Sequence, residues 1–298
     1  MSFKFSIIIP HRNIPQLLER CLNSIPKRED IQVIVVDDAS DNVLEIQKVV
    51  SHYNVELILV SDMRGAGYAR NLGLQRAKGE WLLFADADDF FSNSFNTLID
   101  KHYSSNADIV YFSVECVYSE SLKHSPKLDK RKIAQAKYQS NSRKIGEFCK
   151  YFHTEPWGKM IKRDLVERRN VQFDETLWAN DYYFSVVSAY YAKKITFDNQ
   201  VLYIYTVREG SLSFKYSGNE NILQTRLNVY WGVQQFFDEH HIPYSTFYRY
   251  SLSEYILRHN CYSNIIKKFW EEKNIGVFHV IYKYLKDKIY QYTFGVRQ

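Results

Sequence analysis

Gly79-Glu80-Trp81-Leu82-Leu83-Phe84-Ala85-Asp86-Ala87-Asp88-Asp89 is the stretch whose reading decides the fold: a short apolar run that ends in three carboxylates. Unbroken apolarity from Trp81 to Ala85, with large side chains, predicts a strand buried on both faces. Ligands of open α/β sheets collect beyond the carboxyl ends of such strands, so Asp86-Ala87-Asp88 stands where a crevice is expected. Carboxylates this close repel unless something positive lies between them, and oxygen-only donors suit a hard cation, Mg2+ or Mn2+. Asp also forms turns, and Asp-x-Asp taken alone fits either reading.

Upstream, Phe5 to Ile9 reads as a first buried strand ended by Pro10, and a helix follows from Pro15 to Ser24. Ile31 to Val36 is a second buried strand running into Asp37-Asp38. A helix over Asn42 to Ser51 and a strand over Val55 to Val60 come next, and Gly65-Ala66-Gly67 opens a helix that reaches Ala77. Strands alternating with helices at this spacing predict βαβ units and a parallel sheet. Asp38, at the same sheet edge as Asp86 and Asp88, suits a base N–H or a ribose hydroxyl; N-capping of the following helix is the plainer use of Asp37 or Asp38. Glycines at a helix start let a phosphate approach backbone N–H groups, and Arg70 adds a bidentate donor. The dinucleotide fingerprint is absent, because Arg70 occupies its third glycine, and no Walker lysine follows.

With 298 residues the chain has room for one large core or two modest ones. A net charge of +5 is too mild to point to nucleic acid, and we expect no nucleic-acid partner; a nucleotide, a phosphate or an anionic membrane would serve as well. Cys21, Cys116, Cys149 and Cys261 are far apart, which predicts buried free thiols in a reducing cytoplasm. The run before Pro10 is too short for a signal peptide, and no run approaches the ~18 apolar residues of a membrane span.

Four segments together resemble the family-2 glycosyltransferases, the inverting group with the GT-A fold: Ser6 through Asn13, Val33 through Asp41, Gly65 through Asn71, and Gly79 through Asp89. The resemblance covers residues 4 to about 112. It implies a nucleotide-sugar donor, usually a UDP-sugar, with Pro10, Arg12, Asp38, Gly65, Arg70 and Asp86 in its binding site. It also implies Mn2+ or Mg2+ held by Asp88 with Asp86 beside it. His11 stands where the family often has Tyr. Thr154 through Arg163 is similar to the family's acceptor-side segment, which returns a strand to the sheet. Asn180-Asp181 matches a pair that is commonly Glu-Asp in the family, with Asp181 at the position of the catalytic base; capping of the helix that starts there is the alternative. Val207-Arg208-Glu209-Gly210-Ser211-Leu212-Ser213 resembles a loop that closes over the donor diphosphate, which assigns Arg208 to donor binding.

Between these segments, Ile109 to Tyr118 reads as a strand and the basic stretch Ser119 to Arg143 as a surface loop, with a short helix over Glu147 to Phe152. Ile195 to Phe197 and Val201 to Thr206 read as two short strands. Helices are expected over Ile222 to His240, Ser245 to Asn260 and Ile275 to Thr293. In the last, bulky apolar residues alternate with Lys283, Lys286 and Lys288; a core or homodimer helix is the first reading and a peripheral membrane contact the second.

The expected protein is therefore an α/β enzyme of GT-A type, a Rossmann-like mixed, mainly parallel sheet flanked by helices. Its catalytic domain spans 1–215, with a donor half to about 112 and an acceptor half from about 113, and a helical region fills 216–298. It is expected to transfer a sugar from a nucleotide-sugar to a hydroxyl of a glycan or lipid-linked glycan, in the cytoplasm or at the inner face of the plasma membrane. A sugar nucleotidyltransferase is the nearest rival, but it needs a glycine-rich loop after the first strand, and Pro10-His11-Arg12-Asn13 has no glycine. A non-catalytic nucleotide- or glycan-binding protein has only Asn180 in its favour.

Overall fold

In the computed structural model, which describes residues 2–138, 140–208, 219–257 and 262–294, the apolar runs form one eight-stranded sheet. Its strands are β1 (Phe5–His11), β2 (Ile31–Asp38), β3 (Val55–Val60), β4 (Trp81–Phe84), β5 (Phe90–Phe91), β6 (Ile109–Tyr118), β7 (Lys159–Lys162) and β8 (Ile195–Val207). The helices are α1 (Pro15–Asn23), α2 (Val43–Val50), α3 (Ala66–Arg76), α4 (Phe95–Tyr103), α5 (Asp129–Tyr138), α6 (Ser142–Phe152), α7 (Arg163–Arg169) and α8 (Tyr182–Tyr191). After these come α9 (Glu220–Glu239), α10 (Thr246–Leu257), α11 (Ser263–Glu272) and α12 (Val277–Phe294). The sheet order is β3-β2-β1-β4-β7-β6-β8-β5. The first four of these strands are parallel, β7 enters antiparallel to both neighbours, β8 is parallel to β6, and β5 is antiparallel to β8.

Alternation along the strands sends side chains into two cores, one on each face. Phe5, Ile7 and Ile9 pack with Leu18, Cys21, Ile46 and Leu98 of α1, α2 and α4. Ile8 faces the other way, into the core made with Ala69, Phe148, Leu165 and Phe184 of α3, α6, α7 and α8. Helix α9 joins two layers: Val233 and Phe237 complete this second core, whereas Leu223 and Leu227 belong to a third one built with α10, α11 and α12. Cys21, Cys116 and Cys149 are buried and not disulfide-bonded, as expected; Cys261 lies outside the described residues.

Several expectations need correction. β1 does not end at Pro10 but pairs with β2 through His11. Its other neighbour, β4, stops opposite Ile8, so a missing N–H beyond that point leaves fewer partners unmet. The basic stretch after β6 is not a loop: it holds a 3-10 turn over Pro126–Leu128, then α5 and the start of α6. Lys, Arg, Ala and Gln are good helix formers, but they carry too little apolar periodicity to show it. Asn141 caps α6 by accepting the Lys144 N–H at 3.0 Å, which starts that helix well before Glu147. The two short strands expected from Ile195 onward are one, β8, whose ladder with β6 passes the polar Asp198-Asn199-Gln200 by a register shift. There Asp198 accepts from Lys101 at 2.7 Å and bonds His102 at 2.8 Å. Burial pushes its carboxyl up, but these partners outweigh burial and hold it down at about 2. β5, α4, α7 and α11 were not anticipated, and residues 258–260 of the expected Ser245 to Asn260 helix lie outside the described residues.

Close approach of β1 to the start of β4 makes glycine obligatory at 79: a Cβ there would stand 2.4 Å from the Phe5 carbonyl carbon and the Ser6 nitrogen. Gly79→Ala is expected to cost about 1–3 kcal/mol by overpacking. Gly232→Ala, in α9 with nothing within 4 Å of its Cβ position, should instead gain up to ~1 kcal/mol from helix propensity. Urea midpoints of the two variants moving in opposite directions from the native chain would bear this out.

Candidate active site

Two strand ends, those of β2 and β4, present carboxylates at one sheet edge, and the structure gives them different tasks. Asp37 is buried and clamped: it bonds His11 Nδ1 at 2.7 Å and accepts from the Ser40 N–H at 2.9 Å and the Ser40 hydroxyl at 2.6 Å. The Ile14 N–H donates to His11 Nε2 at 3.2 Å, so the Nδ1 atom carries the imidazole proton and donates it to Asp37. Burial raises the Asp37 carboxyl, yet these bonds together hold it below the usual range. Asp38 takes the Arg64 and Gly65 N–H groups on its two oxygens, at 2.8 Å each. Neither Asp caps α2; Asn42 does, by accepting the Glu45 N–H. Gly65, at φ +91°, is in a conformation that side chains rarely adopt, and this turns its N–H toward Asp38. Asn13 (φ 54°), Ala39 (φ 56°) and Ala179 (φ 57°) are also left-handed, and each adjoins a candidate site residue, as strained backbone often does at functional sites.

The three carboxylates after β4 likewise divide. Asp89 is buried and structural, accepting the Thr206 N–H at 2.6 Å and the Tyr203 hydroxyl at 2.9 Å. Burial, with Asp88 and Asp86 nearby, pushes it well above the usual range. The Asp88 carbonyl accepts from Arg20 at 2.6 Å and from the Thr206 hydroxyl at 2.7 Å, while one of its carboxylate oxygens meets Arg208 Nε at 3.1 Å. Burial and the Asp86 charge raise Asp88; Arg208 opposes them. The long β8 is what delivers Arg208 to this point. Residues Glu209 to Ser213 of the expected diphosphate loop lie outside the described residues.

Arg70 links this edge to the segment that leads into α8. Its guanidinium is buried and donates to Asp86 Oδ1 at 2.6 Å and to Asn180 Oδ1 at 2.8 Å. The chain segment before α8 is held on α3 for this purpose. Asn71 exchanges two hydrogen bonds with the Phe173 backbone, at 3.0 and 2.9 Å, and a Cβ on Gly67 would stand 2.0 Å from the Asp174 carbonyl oxygen. Asp181 then occupies the N-cap position of α8 but makes no capping bond with its side chain, so the capping alternative is not the one the structure uses. Asp181 is half-buried, and desolvation, opposed by Arg70 and assisted by Glu155, raises it to about 6.

Pro10 is buried in β1, and Arg12 is an exposed side chain that contacts Met63 Sδ and the Ala39 carbonyl. Among the expected residues, Asp86, Asp88, Arg70, Arg208 and Asp181 thus meet in one connected neighbourhood, with Asp38 and Gly65 forming its β2 wall. The sequence reading missed Arg20, the Asp89–Tyr203–Thr206 anchor and Asp174; no local motif marks partners so distant along the chain. In the sequence Asn180 stands out only as a departure from the usual Glu, whereas here it accepts from Arg70. No group of three or more His, Cys, Asp or Glu residues able to hold a metal occurs among the described residues. The donor set still fits a hard cation: Asp86 and Asp88 each bind a guanidinium through one oxygen, leaving the second oxygen of each for a ligand.

Comparison with known proteins bears on this arrangement. The profile described as "Glycosyl transferase family 2" matches residues 6–169. The "Uncharacterized glycosyltransferase EpsJ" of Bacillus subtilis is 26% identical over 70% of this chain and 62% of its own length. The "Poly(ribitol-phosphate) beta-N-acetylglucosaminyltransferase TarS" of Staphylococcus aureus is 29% identical over 70% of this chain and 36% of its own. The chain thus spans less than two thirds of the length of either relative. A crystal structure of S. aureus TarS residues 1–349 in complex with UDP-GlcNAc superposes with a TM-score of 0.59 at 25% identity, over 76% of this chain and 65% of the other.

Asp174 offers a test of the site's electrostatics. Burial and the Asp181 charge raise it to about 6, and its Oδ2 is buried without a partner. Its folded pKa lies above the unfolded one, so the folded state holds the proton more tightly. The stability this gives is present in acid and lost as pH rises between the two values. Asp174→Asn should therefore stabilise the chain above pH 6, on the order of 1–3 kcal/mol, and far less near pH 4. Urea midpoints across that range would check it; an equal gain at both ends would contradict it.

Proposed function

The chain belongs to glycosyl transferase family 2, and from that premise we propose that it moves a sugar from a nucleoside-diphosphate sugar, a UDP-sugar first, to a hydroxyl of a glycan or lipid-linked glycan with inversion. The observation that carries this reading is the Arg70 bridge, which joins Asp86 at the carboxyl edge of the sheet to Asn180, the neighbour of Asp181. The UDP-GlcNAc complex of the structural relative supports the choice of donor.

In this reading the acceptor oxygen forms a bond to the anomeric carbon while the bond to the diphosphate oxygen breaks in line. Asp181 takes the acceptor proton, and a carboxyl raised to about 6 is a stronger base than an ordinary Asp yet still ionised near neutral pH. Its side chain is not spent on a cap, which leaves it available for that proton. Asp38 fixes the Arg64-Gly65 turn against the donor pocket. Arg208 and Arg12 supply positive charge on the donor side. Asp88 and Asp86 would hold Mg2+ or Mn2+, whose chemistry is to offset the charge growing on the departing diphosphate.

Asp181→Asn should leave UDP-sugar affinity within a few-fold and lower transfer by ~10²–10⁴. The native rate should rise with pH through about 6, as Asp181 loses its proton, and that limb should vanish in the variant. Near-native transfer by Asp181→Asn would remove it as the base. For the donor side, Asp88→Asn should abolish the extra melting-temperature gain that Mn2+ adds to UDP while leaving the unliganded melting temperature nearly unchanged; a large fall in that temperature would assign Asp88 to the turn alone.

A further inference from the structure

α12 has two opposed faces. Inward, Val280 and Asp287 are buried and Tyr284 packs on the third core, with Asp287 accepting the Ser245 N–H at 3.1 Å. Outward, Phe278 is 89% exposed, and Ile281, Tyr282 and Leu285 continue the same stripe at spacings of three and four residues. At 100° per residue, this stripe lies opposite Val280 and Asp287, with Lys288 along one border and Lys286 along the other. Both lysines are exposed, and the one acid between Val277 and Ile289, Asp287, faces inward. Lys283, by contrast, is drawn to Asp238 at 2.9 Å.

We propose that this face of α12 lies on the surface of an anionic lipid bilayer, with Phe278 and Leu285 among the acyl chains and Lys286 and Lys288 on the headgroups. Charge complementarity selects this occupant over a second copy. Two such faces packed together would set lysine borders against lysine borders, with no exposed acid on the helix to offset them. Anionic headgroups meet both borders at once, and long lysine side chains reach the headgroup level from beside a buried apolar stripe. Tyr282, with an apolar ring and a polar tip, suits the same depth. No helix of the described residues is long and apolar enough to cross a membrane, so the contact is one of lying on the surface. The assignment goes beyond sugar transfer and stands whether or not Asp181 is the base.

Co-sedimentation of the full chain with vesicles tests it. Pelleting is expected on vesicles of equal phosphatidylcholine and phosphatidylglycerol at low salt. It should be at least ~10-fold weaker on pure phosphatidylcholine, and weaker again near 1 M salt, where the screening length falls to about 3 Å. Phe278→Ser with Leu285→Ser should weaken binding at least ~10-fold, and Lys286→Gln with Lys288→Gln about five-fold per lysine, both with unchanged melting temperature because all four side chains are exposed. If either variant melts early, native chain carrying only Lys286→Gln and the salt series decide in its place. No pelleting on the mixed vesicles, or pelleting that neither salt nor the variants reduce, overturns the assignment. So does a concentration-dependent dimer that the two serine substitutions convert to monomer in a chain that ignores vesicles.

Discussion

Arg70 sits between Asp86 Oδ1 at 2.6 Å and Asn180 Oδ1 at 2.8 Å, so one buried guanidinium joins the end of β4 to the head of α8. Those elements lie in different halves of the chain, and their relative position determines how near Asp181 stands to the Asp86-Ala87-Asp88 edge. A buried cation of this kind is tolerated only with a partner carboxylate and good geometry, and the bridge supplies both. The choice of amide at 180 matters to the charge balance. With Asn180, the carboxylate bonded to Arg70 is Asp86; a carboxylate at 180 would add a further negative charge a short distance from Asp181 and press its pKa further up. The bridge thus sets geometry and electrostatics through the same atoms.

Around the bridge, acidic residues at the strand ends are used mainly to hold loops. Asp37 locks the β1 and β2 turns through His11 and Ser40, Asp38 fixes the turn into α3, and Asp89 ties the β4 turn to the end of β8. Each buried carboxylate satisfies hydrogen bonds that a turn backbone or a distant side chain would otherwise leave unmet. What remains with oxygens to spare is Asp86, Asp88 and Asp181. This division helps a cluster dense in negative charge to persist: its structural members accept hydrogen bonds from turn backbone and side chains, and Asp86 and Asp88 are paired with Arg70 and Arg208.

Much of this was legible from residue patterns. Apolar runs mark strands whether they are buried throughout, as β4 is, or half-buried at the sheet edge, as β3 is, so Val55–Val60 and Ile109–Tyr118 match their expected bounds and Trp81 begins β4 as read. Helices with one apolar face, such as α1, were equally plain. Hidden elements were those whose stability comes from elsewhere: α5, which has little apolar periodicity, and β5, two residues long and held by pairing to β8 and by the Ser24 hydroxyl that accepts the Phe91 N–H. The continuity of β8 through Asp198 depended on Lys101 and His102, nearly a hundred residues earlier.

By itself the sequence determined the α/β class, the sheet edge at which the carboxylates gather, and the family, because local periodicity and four ordered motifs lie within short windows. Only the tertiary structure decided which of the clustered acids are bound as braces and which keep an oxygen free, and that Asp181 heads α8 without capping it. The same holds for Arg208 beside Asp88, and for α12, which turns Phe278 outward while burying Asp287. The physical reason is common to all of these. A carboxylate's role is set by what donates to it, and a helix face's role by what covers it, and here partners such as Arg70, Tyr203 and Arg208 come from segments 16 to 120 residues away.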